Sequence, residues 1–190
     1  MNREKKLTIL KTAEKLFNRF GIKKTAVDDI AALARVAKGT IYNNFGSKEG
    51  VIHELIQEKI NAFEKKLETT LQGIKDPVEE LKVVLSERIK IILNSPFLCD
   101  RLLSVDELTL HSLTDELDRR LRQVIGRILA KDLPVVLAAA EQSKILNALI
   151  YFLRGMEQSM RDALPGIDTE KIEQELDYLI RRMVPQSDVK

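Results

Sequence analysis

The sequence predicts an all-α fold of about nine helices, a small N-terminal three-helix unit followed by a larger helical body. Three observations carry this. Glycine and proline are scarce, eight and five among 190 residues, so the chain lacks the turn residues of a β fold. Hydrophobic residues make up 44% and charged residues 32%, with few aromatics and no tryptophan, a mixture that suits amphipathic helices. Apolar positions recur at steps of three and four, the spacing of one helical face, and no alternating stretch, internal repeat or low-complexity segment interrupts them.

The first helix is expected over residues 4–20, with Leu7, Ile9, Leu10, Ala13, Leu16, Phe17 and Phe20 on one face and Gly21 as C-cap. Thr25 to Asp28 fit the spacing of a capping box ahead of a second helix of little more than two turns, carrying Ile30, Ala31, Leu33 and Ala34. A third short helix covers 38–45 and ends near Gly46. Ser47 is the N-cap for the long run Val51, Leu55, Ile56, Ile60, Phe63, Leu67 and Leu71. Asp76 and Pro77 open the next helix, which stops at Asn94, Ser95 and Pro96. Two further helices follow at about 97–111 and 114–131, the second capped by Thr114. A strongly apolar helix spans about 138–164, and the last covers 168–184 before Pro185. Residues 1–50 thus form the head and 51–190 the body.

The longest apolar run without a charge, 133–140, is far short of the roughly 20 residues of a membrane span. The charged start lacks the apolar core of a signal peptide, and the single Cys99 has no partner for a disulfide within the chain, so a cytoplasmic protein that does not meet a membrane is expected. Cys99 reads as a small buried hydrophobe. Glu107 and His111, with Asp106 adjacent, are too few to hold a metal, and a surface ion pair explains them. No nucleophile elbow or phosphate loop is present, so neither catalysis nor a cofactor is expected.

Net charge is only +2, but residues 1–50 hold eleven Lys and Arg against five acids, a balance of +6 that leaves −4 for the rest. A basic head facing a polyanion follows from that asymmetry. Within it, two short helices joined by a turn at 35–37 and packed on a third form the smallest unit that can push a helix end into the DNA major groove. The second short helix offers Lys38, Thr40, Tyr42, Asn43 and Asn44, with Lys48 just beyond. Lys and the Tyr hydroxyl reach phosphates, whereas Thr and Asn also read base edges. Gly39 removes a side chain where a backbone could approach a phosphate.

These residues resemble the TetR/AcrR family of transcriptional regulators. The stretch from Ile9 to Phe17, then Gly21, Thr25, Asp29 to Ala31, Ala34, Val36, Gly39 to Tyr42, Phe45 and Ser47 to Glu49 is similar to that family's N-terminal signature. The resemblance implies a recognition helix over 38–44. Lys38, Gly39 and Thr40 would approach the groove, Tyr42 and Lys48 would grip phosphate, and Thr25 would cap the second helix and touch phosphate. Asn43 and Asn44 would discriminate sequence, with Ile41 and Phe45 packed inward. Three positions depart from the family pattern: Arg35 where the turn usually has Gly, Ala37 where a capping Ser is usual, and Asn44 where His or Tyr is frequent.

One small head makes too few contacts for specific binding, so a homodimer on double-stranded DNA with two half-sites is expected, its interface in the body. The 138–164 helix is apolar on more than one side: Ile145, Ala148, Leu149, Phe152 and Met156 form one stripe, and Leu146, Ile150, Leu153 and Met160 extend it. By the resemblance, Ile145, Leu149, Phe152 and Met156 pair with Ile172, Leu176, Leu179 and Met183 of the final helix and their copies in a four-helix interface. Both stripes could equally be intrachain core. The resemblance also implies an inducer pocket in the middle helices, lined by residues such as Leu85, Ile89, Leu103 and Leu110. The scarcity of aromatics favours an aliphatic or acyl ligand over a flat drug. The alternative is a TetR-like DNA-bound factor whose body binds a protein and no inducer.

Overall fold

The computed structural model describes residues 2–95, 107–130, 138–163 and 169–184, with the side chains of all but 92, 107–114, 157–163 and 169. Every regular element in them is helical: α1 (Arg3–Phe20), α2 (Val27–Ala34), α3 (Lys38–Phe45), α4 (Lys48–Thr70), α5 (Pro77–Asn94), α6 (Glu107–Leu129), α7 (Ala139–Ala163) and α8 (Thr169–Met183). Among the described residues these are eight helices. The two helices expected at 97–111 and 114–131 are here represented by α6, which runs through Thr114 without a break. Neither Pro nor Gly stands between Glu107 and Leu121 to end the ladder, and a lone Thr does not stop a helix that propagates on both sides. Residues 97–106, with Cys99, Leu103 and Asp106, lie outside the described residues, as do the side chains of Glu107, Leu110 and His111.

The chain divides into two compact units, Met1–Ala62 with Asn94–Glu116, and Phe63–Leu93 with Leu117–Lys190. The division falls inside α4, twelve residues beyond the head expected from sequence, because α4 is one uninterrupted helix from Lys48 to Thr70.

In the first unit, Ile9, Leu10, Ala13 and Phe17 of α1, Ile30 of α2, Ile41 of α3 and Val51 and Ile52 of α4 are buried together as its core. Asn2 caps α1, its Oδ1 accepting the Lys5 amide at 2.9 Å. Gly21 ends α1 at φ 80°, as its position suggests. Two polar links hold α1 to α4: Lys6 with Glu54, at 2.5 Å, and Lys59 with Glu14. Glu14 also accepts from the buried Ser95 hydroxyl at 3.1 Å, which brings the segment after α5 against α1. The join between α3 and α4 depends on Gly50: a Cβ there would lie 1.8 Å from the Phe45 carbonyl oxygen. Ser47 Oγ accepts the Gly50 amide at 3.2 Å, the N-cap expected for α4.

The second unit buries Leu81, Val84 and Leu85 of α5, Leu121 and Ile125 of α6, Leu149, Ile150 and Leu153 of α7 and Leu176 and Ile180 of α8. Asp76 caps α5 through the Val78 amide at 2.9 Å with Pro77 as first helical residue, as expected. Among the described residues no helix is long and apolar enough to cross a membrane.

Candidate nucleic-acid interface

α3 has eight residues and buries only Ile41 and Phe45, so Lys38, Tyr42, Asn43 and Asn44 are exposed and Thr40 is half-buried. Its entry is unusual. Arg35 closes α2 at φ 55°, ψ 47°, the sole non-glycine at positive φ among the described residues. For an L-residue this left-handed backbone costs about 1 kcal/mol, which the amides at Arg35 and Val36 offset by closing the end of α2 on the Ala32 and Ala31 carbonyls. Ala37 is the N-cap of α3 and supplies no side-chain acceptor. The first turn of α3 therefore presents uncapped backbone donors and the positive end of the helix dipole.

Several of the polar groups are held by their own chain. Lys38 Nζ lies 2.9 Å from Asp28 of α2 and 5.9 Å from the centre of the Tyr42 ring. Hydrogen bonding to the Asp28 carboxylate, and its charge, raise the Lys38 ammonium above its ordinary pKa. Lys48 Nζ donates to the Ile22 and Thr25 carbonyl oxygens at 3.0 and 3.2 Å, tying the start of α4 to the α1–α2 turn and leaving one ammonium donor over. Asn44 folds back to donate to the Thr40 carbonyl at 2.6 Å. The Asn43 side chain makes no hydrogen bond within the described residues and is exposed, as is Tyr42 at 43%.

Gly39 is exposed and helical, and nothing lies within 4 Å of where its Cβ would be. No packing or backbone requirement of the chain itself asks for glycine there, although glycine inside a helix costs about 1 kcal/mol relative to alanine. Free space outside the helix is what it preserves.

Thr25 departs from its expected role. It is buried, and its hydroxyl donates to the Gly21 carbonyl at 2.8 Å, so it does not cap α2. The N-cap is one residue later, at Ala26, whose amide is taken by Asp29 at 2.9 Å. The spacing of Thr25 and Asp28 imitates a capping box, but Thr25 faces inward to close the turn. Asp28 is freed for Lys38, a pairing that no local pattern indicates because it crosses the turn.

In the body, the residues expected at a dimer surface divide. Ile145, Leu149 and Leu176 are buried against their own chain, whereas Phe152, Met156, Ile172, Leu179 and Met183 are half-buried. Tyr151 and Tyr178, 67% and 61% exposed, were not singled out by periodicity. A shallow groove of about 430 Å³ is lined by Phe152 of α7 and by Lys171, Gln174, Glu175, Tyr178 and Leu179 of α8. Of the residues expected to line an inducer site, Leu85 is fully buried and Ile89 nearly so.

The body also buries charge. Asp118 accepts from Arg154 Nε and Nη2 at 2.8 and 2.6 Å, and buried Arg88 lies 3.7 Å from its other oxygen. Burial pushes the Glu87 carboxyl up, but its bonds to Lys66 and Lys90 outweigh that and hold it below its usual value. A helical face that is apolar on average hides such pairs, so sequence periodicity missed them. Among the described residues no cluster of His, Cys, Asp and Glu is suited to hold a metal ion.

Residues 9–55 match the family model of bacterial regulatory proteins, tetR family. The HTH-type transcriptional regulator YhgD of Bacillus subtilis (strain 168) is 36% identical over 72 residues, 38% of each chain. The fatty acid metabolism regulator protein of the same organism is 27% identical over 123 residues, 65% of this chain and 61% of that one. The chain matches no more than about three fifths of the length of these curated relatives, 61% at most. Among solved structures, the transcriptional regulator FadR from Bacillus subtilis in complex with stearoyl-CoA superposes with a TM-score of 0.79 at 18% identity, over 94% of this chain and 99% of that one.

Proposed function

We propose that this transcriptional regulator of the tetR family is a repressor that binds a palindromic operator as a homodimer and is released by a small hydrophobic inducer. The observation that carries the DNA-binding half is Gly39, a helix-weakening residue at the exposed start of α3 that only an outside partner makes useful. Around it Lys38, Thr40, Tyr42, Asn43 and the remaining donor of Lys48 supply phosphate and base-edge contacts, and the partly occupied Asn44 amide retains acceptor capacity. Thr25 contributes indirectly, by shaping the turn that Lys48 holds. Repression requires only that the promoter be occupied, with no polymerase contact.

In this reading residues 1–50 read DNA and 51–190 sense and dimerise. The dimer surface is the outer side of α7 and α8, where Phe152, Met156, Ile172, Leu179 and Met183 are half-buried and Tyr151 and Tyr178 extend the apolar area. Ile145, Leu149 and Leu176 back it from inside. The inducer belongs to the acyl class. Support comes from the aliphatic α5 face around Leu85 and Ile89, the poverty in aromatics, and the stearoyl-CoA held by a protein of the same fold. The side chains of Leu103 and Leu110, the other two residues expected in that lining, lie outside those described.

The test is fluorescence anisotropy with the DNA upstream of the chain's own gene. Tight binding should fall steeply with salt, and Lys48→Met should lower the slope of log K against log salt by about 0.9, one phosphate contact. Salt-insensitive binding, or an unchanged slope, counts against the assignment. Stearoyl-CoA should raise the melting temperature and release the DNA. A protein that binds DNA but responds to no acyl-CoA would instead favour a body that docks a protein partner.

A further inference from the structure

Lys38 opens α3 where the helix dipole is positive and no side chain caps it, so the local field disfavours a cation there. Asp28, the second residue of α2, offsets that field. Both of its carboxylate oxygens lie 2.9 Å from Nζ, and the ammonium sits over the face of Tyr42. The side chains are 53% and 64% exposed, and no other hydrogen bond or ion pair engages either group among the described residues. A pair so open to water contributes little to folding. Its position is informative: it stands against Tyr42, with Gly39 next in the chain, and the carboxylate offers the ammonium the same paired anionic acceptors as a backbone phosphate.

Resting on the DNA-binding reading above, we propose that Asp28 is a specificity-determining residue that competes with DNA phosphate for Lys38. Where the duplex brings a phosphate to Lys38, one anion replaces another at nearly equal strength, and the carboxylate is left to solvent. Where it does not, Lys38 stays with Asp28, no phosphate contact forms, and an acidic group faces the backbone. The head thus gains less from DNA of the wrong shape or register than its +6 balance would give. Such discrimination by a repulsive element needs no base contact from Asp28 itself.

The experiment is anisotropy with a random-sequence duplex of about 30 base pairs at low and high KCl, about 50 and about 300 mM. Asp28→Asn should bind it about fivefold tighter at low salt, with the gain lost at high salt, and the gain on the chain's own upstream DNA should be smaller. Asp28→Glu should behave as the parent. In a Lys38→Met background the gain from Asp28→Asn should shrink below about twofold. Equal gain in both backgrounds, or no gain, overturns the proposal. If the amide lowers the melting temperature, Asp28→Ser carries the same expectation. A parent protein that fails to bind either duplex at low salt overturns the DNA-binding reading and this inference together, whereas binding with an indifferent Asp28→Asn overturns the inference alone.

Discussion

The short helix α3 and the long helix α7 use the same periodicity to opposite ends. α3 has eight residues, buries Ile41 and Phe45, half-buries Thr40 and turns the rest to solvent. α7 has 25 residues and buries Ile145, Leu149, Ile150 and Leu153, leaving Phe152 and Met156 half-buried and Tyr151 outside. A two-turn helix has room for one narrow apolar stripe, so its remaining positions are surface by necessity and their chemistry can be read as function. A long helix that is apolar on several sides offers competing stripes, and its neighbours decide which is core. A second difference concerns charge. The head holds Lys38 on Asp28 at the surface and half-buried Lys48 on two carbonyls, where an incoming anion can compete for them. The body buries Asp118 and Arg88 where exchange with solvent is costly.

The largest way to sharpen this contrast is Leu85→Ala. Leu85 is fully buried on α5, and a filled core there predicts a loss of about 3 kcal/mol in chemical denaturation. A loss below about 1 kcal/mol would mean that Leu85 faces a cavity a ligand can fill, and would place the body nearer to a sensor than to a packed scaffold. On the head, Arg35→Gly relieves the left-handed backbone at φ 55° and should raise stability by about 1 kcal/mol with operator binding unchanged. A drop in melting temperature would refute the strain. Smallest is Gly39→Ala, which meets no atom within 4 Å and should stabilise the free head by about 0.5 to 1 kcal/mol. The same methyl should weaken operator binding. If stability rises and binding does not fall, the glycine has no role at the DNA surface.

The sequence legibly marked the head: Gly21, Ser47 and the apolar faces of α1 to α4 follow from local rules, and so does the exposure of Lys38, Tyr42 and Asn43. Arg35 and Ala37, which depart from the family pattern, stand in the structure at positive φ and at an N-cap without a side-chain acceptor. Thr25 was legible as important but not as buried, because a hydroxyl that caps a helix and one that closes a turn obey the same spacing.

What the sequence by itself determined is the all-helical fold and the outward polar face of α3, since both depend on interactions within a few residues along the chain. The tertiary structure alone decided that Asp28 meets Lys38, that Lys48 binds the Ile22 and Thr25 carbonyls, and that Ile145, Leu149 and Leu176 go inside while Tyr151 and Tyr178 stay out. Those choices join residues ten to more than twenty positions apart or turn on which helix packs against which. Helical periodicity gives an apolar face its direction around the axis but not its partner.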